Sequence, residues 1–504
     1  MRTQKTILNL VYALGSSLLL MLLGFATRRL LVFNFGNDIT AASQVVDKLF
    51  NFFSIAEFGV GSVISYRLYE QIAAKDTEKI SKYMSMYKWA YRAVGVVICV
   101  LAGIGALALP WIMPGVASIQ TAYTVYLLNT ISTLSGYFLV TRRLMYTCTQ
   151  QGYLCTRIDF CFNVANYLAR IAIALWLPNY ILYFGVSILF NTGANLVVAA
   201  RYKKDFPELH EVKVTLRDFK DLGIFHDLKY YLVHRLSNTI YGSIVTSRMA
   251  GSAMTANLGN YTTVSDSATN IGNKIMDSFA AAIGNIVYDK SATANAHDKQ
   301  VFWGLDLFSY FFGSFVATAY LCLFQPFISL WMGSDRLLPL GFVIVFSLNE
   351  YVGWNHRMLG SYRAVLGHFE QDQWFMVASA ATNLILSFAL FPAFGITGIV
   401  AATIVAHCIM WVGRGIVVCR QYMRGSGWRY LRVQAVHLVT LVVLMAGSYR
   451  VCALLPGGIL GLLGRAVVVC ILPNVLNLAF YIWTSDAAYL RTQAGRLWQK
   501  ITHR

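Results

Sequence analysis

Long apolar runs separated by short polar segments organise this chain from end to end. Crossing a hydrocarbon core about 30 Å thick takes about 20 mainly apolar residues. Runs near that length fall at about 7–33, 43–66, 84–109, 122–146, 158–177, 181–200, 228–250, 256–288, 301–325, 338–362, 373–391, 395–419, 433–450 and 463–484. The pattern predicts fourteen helices of an all-α polytopic membrane protein. Arg2 and Lys5 precede an apolar core in the manner of a signal peptide. No small-x-small cleavage site follows and arginines come next, so this segment is read as the first helix. Composition agrees, with 57% of 504 residues hydrophobic and 13% charged.

Charge placement tests the topology independently of hydropathy. With both termini cytoplasmic, the segments 1–6, 67–88, 142–157, 201–229, 289–300, 363–372, 414–432 and 487–504 hold 29 Lys and Arg, while the opposite turns hold Arg336 alone. That asymmetry is the positive-inside rule, and it fixes an even number of spans in a cytoplasmic membrane. The net charge of +18 is therefore mainly topological. A nucleic-acid partner would need a basic soluble face, and none is offered. The nine cysteines show no metal-ligand spacing and mostly sit in apolar runs, where they pack as small apolar residues.

The chain also repeats itself. A shift of 219 superposes Arg29 on Arg248, Asp47 on Asp266 and Asn51 on Asn270; a shift of 220 brings Leu128-Asn129 onto Leu348-Asn349, Leu139 onto Leu359 and Arg143 onto Arg363. Each half then holds six helices, so the halves are parallel and related by an axis along the membrane normal. The predicted divisions are lobes at 1–200 and 228–424, a polar cytoplasmic linker at 201–227, and two extra helices with a tail at 425–504.

The repeat bears on the charged residues inside the spans. Arg29 and Asp47 flank Asp38 at nine residues each, and Arg248 and Asp266 flank Asn257 likewise. Unpaired charge in a membrane interior is costly, so two readings stand: structural clasps, or lumen-facing groups that change partners. Arg28 has no such mate and is a candidate for holding an anion, the alternative being snorkelling to the outer interface. Glu57, in "SIAEFGVGS", and Glu350 are candidate ion-coupling carboxylates; Asp159, Asp266, Asp277 and Asp306 complete the membrane set. His356, His368 and His407 read as packed or interfacial residues.

Several stretches resemble a known family. "NFFSIAEFGVGSVISYRLYEQIAAKDTEKISKYMSMYKWAYR" (51–92), "GNYTTVSDSATNIGNKIMDSFAAAIGNIV" (259–287), "PFISLWMG" (326–333) and "NLILSFALFPAFGITGIVAATIVAH" (383–407) look like corresponding parts of polysaccharide-repeat flippases. These flippases belong to the multidrug/oligosaccharidyl-lipid/polysaccharide (MOP) exporter superfamily. The similarity runs in order through nearly the whole chain, with one departure at Asn37-Asp38-Ile39-Thr40, where many relatives carry a second glycine. The resemblance implies a MATE-like fold of two six-helix lobes around a central cavity, plus two helices, working by alternating access. It further implies a bacterial inner-membrane transporter. Its cargo would be an undecaprenyl-diphosphate-linked oligosaccharide for capsule, exopolysaccharide or O-antigen export, acting beside a polymerase and glycosyltransferases. Arginine's planar fork suits a diphosphate entering the bilayer, which makes Arg28, Arg29 and Arg248 candidates, with Arg143 and Arg363 at the cytoplasmic mouth. The coupling ion, H⁺ or Na⁺, is left open.

Other classes find less support. No Walker A loop, His-Glu-x-x-His or Asp-x-Asp motif occurs, so neither an enzyme nor a bound cofactor or metal is expected. A drug or cation antiporter of the same superfamily remains the rival, because fold does not fix cargo. Such antiporters often carry a first-helix acid, where this chain has two arginines. A lipid II flippase, handling the same carrier lipid, is the nearer alternative.

Overall fold

The computed structural model describes residues 2–504 except 58–59, 115, 117, 216–217, 220–242, 287–295, 367–372, 424–426, 493–494, 496–498 and 500–504; for 2–14, 243–246, 274–286, 363–366 and a few others only the backbone path is described. The helices are α1 Arg2–Phe53, α2 Val60–Ala74, α3 Thr77–Ile112, α4 Ile119–Leu139, α5 Arg143–Cys148, α6 Gly152–Trp176 and α7 Tyr180–Asp205. After them come α8 Ser243–Ile286, α9 Ala296–Met332, α10 Leu340–Leu366, α11 Gln373–Phe394, α12 Ile396–Gln421, α13 Gly427–Ala453 and α14 Gly458–Tyr481. Among the described residues nine helices are long and apolar enough to cross a membrane. Large apolar side chains such as Leu107 and Trp176 stand 82% and 80% exposed, as lipid-facing surfaces require. The chain is a multi-pass membrane protein.

Two compact units divide it, residues 1–259 and 260–504. In the first unit, α1 packs against α3, α4 and α6, and α4 against α7. Its core gathers Val45, Val46, Ile98, Val125 and Tyr183. In the second, α12 packs against α10 and α11, while α13 and α14 dock on α9. That docking is polar: the Tyr310 hydroxyl donates to Asn477 Oδ1 at 3.0 Å, and Asn477 Nδ2 donates to Ser314 Oγ at 2.9 Å. Buried amide–hydroxyl bonds between helices set register where lipid supplies no hydrophobic drive to pack.

A break in the helix marks each of the two predicted turns, at a different register from the expected one. The helical path of α1 breaks at Gly36 (φ 81°, ψ −178°) and that of α8 at Gly251 (φ 78°, ψ −179°). This backbone region is essentially open only to glycine. Four residues later a threonine caps each break: Thr40 Oγ1 donates to the Gly36 carbonyl at 2.7 Å and Thr255 Oγ1 to the Gly251 carbonyl at 2.8 Å. The turns are thus 215 residues apart and share Gly-x-x-x-Thr-Ala, at 36–41 and 251–256. The shift of 219, chosen to superpose charges, is off by one helical turn here. The α6–α7 and α11–α12 pairs repeat at nearly the turn's spacing: Ser187 Oγ donates to Asn166 Oδ1 at 3.1 Å, and Asn383 Nδ2 to Thr403 Oγ1 at 3.0 Å.

The second predicted helix is not continuous. After Phe53 the chain tightens into a 3₁₀ turn, Ser54–Glu57, before α2 begins. Ser54 Oγ donates back to the Asn51 carbonyl at 2.8 Å, diverting the local bonding that a helix would use.

Part of the polar segment after α7 is strapped along the start of α3. Lys82 pairs with Asp218 at 2.6 Å, Lys88 pairs with Glu211, and the Val212 amide donates to Ser85 Oγ at 2.9 Å. Phe219 is buried against Trp89, ring centroids 5.3 Å apart. The Lys82 ammonium, with the Thr215 amide and hydroxyl, holds the Asp218 carboxyl well below the usual aspartate range; Lys88 does the same for Glu211. A depressed carboxyl contributes stability that is present above its unfolded value and lost as pH falls through the folded one. Amide exchange over 206–215 should therefore stay slow from neutral pH to about pH 4 and accelerate at neutral pH in Lys82→Met. Mass-detected hydrogen exchange reads this, and a strap already exchanging freely at pH 7 in the wild type would contradict it.

Candidate anion and coupling sites

The first unit gathers cations around Tyr183. Arg28 is 9% exposed, and its Nη2 donates to the Ala256 carbonyl at 2.9 Å, tying α1 to α8. Next to it, the Thr27 carbonyl accepts from the Tyr183 hydroxyl at 3.0 Å. The Arg170 guanidinium lies 4.1 Å from the Tyr183 ring centroid, and its buried Nε has no hydrogen-bond partner. Both guanidiniums are within electrostatic reach of the Tyr183 hydroxyl. A buried fork and a half-buried one beside one phenol form an arrangement that can accept an anion's oxygens.

Arg29 points elsewhere. It is exposed, with its guanidinium 5.0 Å from the Phe33 ring centroid, and Asp47 is exposed beyond the break at Gly36. No Arg29–Asp47 ion pair is present among the described residues, which corrects the clasp expected from sequence. With the turn at Gly36, Arg29 lies seven residues before it and Asp47 eleven after, a mismatch of about 6 Å along the helix axes. Arg248 lies 5.3 Å from the Trp111 ring centroid, and Asp266 is exposed in the second unit.

Glu57, at the end of the 3₁₀ turn, accepts from the Tyr137 hydroxyl at 2.7 Å. Tyr137 stacks on Tyr91 with centroids 6.4 Å apart, and Tyr91 contacts Tyr87 at 4.4 Å. Among the described residues the carboxylate thus sits beside tyrosines rather than against a fixed cation.

Arg143 is committed to protein. Nη1 and Nη2 donate to the two Asp159 oxygens at 2.6 and 2.8 Å, and Nε donates to Asn195 Oδ1 at 2.9 Å, joining α5, α6 and α7. Arg143→Ala should cost about 1–2 kcal/mol, discounted from a fully buried pair because Asp159 is partly exposed. Asp159→Asn in that background should recover part of the loss, as read by thermal unfolding in detergent; no change in either variant would count against the clasp. The Arg363 side chain lies outside the described residues.

In the second unit, Glu350 is half-buried on α10, close to Ser265, Asp266 and Arg357. Arg357 stacks on the Trp354 ring at 4.4 Å. Beside it runs a row that sequence reasoning missed. His407 Nδ1 meets Asn349 Oδ1 at 3.0 Å, the His356 and His407 rings are parallel with centroids 6.0 Å apart, and Arg414 Nη1 bonds His356 Nε2. The available signal was a shared spacing: Asn349 and His356 are seven apart on α10, and His407 and Arg414 seven apart on α12. Two turns put each pair on one face.

Comparison with solved structures places this architecture. The chain is similar to "Lipid II flippase MurJ, inward closed conformation", with a TM-score of 0.67 at 13% identity over 94% of this chain and 99% of that one. It is also similar to a multidrug-resistance MATE family transporter of the MOP superfamily, inward-facing, with a TM-score of 0.59 at 13% identity over 80% and 94%. The fold is that of MOP-superfamily transporters. A MOP superfamily transporter from Pyrococcus furiosus, whose binding pocket of reverse polarity suggests a different function, matches at a TM-score of 0.50 and 13% identity over 80% and 96%. No family model matches the chain. No curated protein sequence matches it significantly.

Proposed function

We propose that this MOP-fold protein flips an undecaprenyl-diphosphate-linked oligosaccharide from the cytoplasmic to the outer leaflet of a bacterial cytoplasmic membrane, for capsule, exopolysaccharide or O-antigen export. The observation that carries the reading is the Arg28–Arg170 pair at Tyr183, a partly desolvated cationic site inside the first unit. A diphosphate leaving water must exchange hydration for fixed donors, and a cationic drug would be repelled there. Arg28 and Arg170 hold the anion; Arg29 and Arg248, resting on aromatic rings, offer further cationic contacts, and Arg363 does so at the cytoplasmic end. Arg143, bonded on all three nitrogens, serves as a clasp. Glu57, Glu350, Asp266 and Asp47 are the carboxylates through which H⁺ or Na⁺ would couple. The six-helix repeats 1–200 and 228–424 alternate access, joined by the 201–227 linker, with 425–504 added to them.

Purified protein in liposomes carrying a fluorescent polyprenyl-diphosphate oligosaccharide tests this. The reading expects label to cross leaflets at a protein-dependent rate, and inorganic diphosphate to slow it. Transport of lipid II with no transport of other diphosphate-linked glycans favours the second reading, a lipid II flippase. Uptake of cationic dyes with no lipid movement overturns both.

A further inference from the structure

Asp306, on α9, and Gln434, on α13, meet in the interior of the second unit, 2% and 4% exposed. Gln434 Nε2 donates to both carboxyl oxygens, at 3.0 and 2.9 Å. Its own Oε1 is buried with no hydrogen-bond partner. Among the described residues Gln434 is the only hydrogen-bond partner of Asp306.

Among the described residues, the groups facing this carboxyl are neutral or of like charge. α10 contributes Tyr351 and Tyr362, α12 contributes Cys419, and α13 contributes Tyr430, whose hydroxyl accepts from Trp411 at 2.8 Å. One turn further along, Tyr310 stacks on His437 with centroids 4.2 Å apart. Beyond α14, Asp486 is a like charge. The nearby cation on α13, Arg429, is turned to Asp486 at 3.5 Å and to the Trp303 ring at 4.6 Å. An ionised carboxyl here would be a buried charge with one amide, beside a buried carbonyl oxygen with no donor, and each of these costs free energy.

One proton removes both costs. We propose that Asp306 and Gln434 are a proton-binding site: the carboxyl takes a proton on one oxygen and, with the Gln434 amide turned from straddling both oxygens, donates it to Oε1 while the other oxygen accepts from Nε2. The reciprocal acid–amide pair is neutral and fully satisfied. Its proton comes from and returns to water, with no other bond made or broken. Because the pair bridges α9 and α13, proton loss restores a buried charge and an orphan carbonyl together and loosens α13; the Tyr310–Asn477–Ser314 bonds hold α14 independently. The site stands on its own geometry, whatever the cargo.

Infrared spectroscopy of the full chain in lipid nanodiscs at neutral pH, without sodium, tests it. The wild type should show a carboxylic-acid C=O band that is lost in Asp306→Asn, whose amide reproduces both hydrogen bonds and so preserves packing. The same band should move to lower frequency in wild-type protein grown on ¹³C-carboxyl aspartate, a readout that needs no variant, and should move again in Gln434→Leu. Absence of any aspartic-acid band in the labelled wild type overturns the proposal. So does a band suppressed when sodium is restored, which would make the occupant a metal ion.

Discussion

Arg28→Ala combined with Arg170→Ala should lower the rate of lipid-linked oligosaccharide flipping by roughly 10²–10⁴-fold, since a hydrogen bond to a charged group contributes about 1.5–3 kcal/mol and two forks are removed. Arg28→Lys separates charge from shape. Lysine keeps the cation but loses the planar fork that reaches the Ala256 carbonyl, so an intermediate loss is expected. Folding is the competing explanation, because Arg28 also ties α1 to α8. Thermal unfolding on the same samples distinguishes the two: Arg170, with no hydrogen bond from its buried Nε, should lose transport on truncation while the melting temperature moves little. Normal flipping in the double variant would remove the site from the mechanism.

The second large effect concerns the hairpin glycines. Gly36→Ala and Gly251→Ala should each cost about 1–3 kcal/mol. An added Cβ at either position meets nothing within 4 Å, so the penalty comes from the positive φ alone and not from crowding. Gly103 supplies the control. It also has open space, but it sits in regular helix within α3, so Gly103→Ala should be neutral or stabilising by up to about 1 kcal/mol. Chemical denaturation in mixed micelles checks all three; equal effects at the three glycines would contradict the strained-turn account.

The helical architecture was legible in the sequence because a bilayer imposes a length on each apolar run and a side on each arginine. The internal repeat was legible as well, but aligning Arg29 with Arg248 and Asp47 with Asp266 weighted charge over backbone. The turns are set by Gly36 and Gly251, whose conformation no other residue adopts cheaply. The break at Ser54–Glu57 was hidden, since a 3₁₀ turn in a small-residue stretch keeps the apolar run intact. Arg28 stood out because its counterpart in the repeat is Ser247. Arg170 did not, because its meaning depends on Tyr183, which α7 brings back from thirteen residues further along the chain. His356 and His407 were dismissed singly; only the facing of α10 and α12 shows them as one row with Asn349 and Arg414.

The most direct test of the flippase reading is the leaflet distribution of lipid-linked oligosaccharide in cells lacking this protein, with and without its restoration at matched expression. The account predicts that the carrier-linked glycan accumulates on the cytoplasmic leaflet of the deletion strain, that wild-type protein clears it, and that the Arg28→Ala, Arg170→Ala protein leaves it there. Unchanged carrier-lipid pools and surface glycan in the deletion strain, together with reduced efflux of cationic dyes, would contradict it.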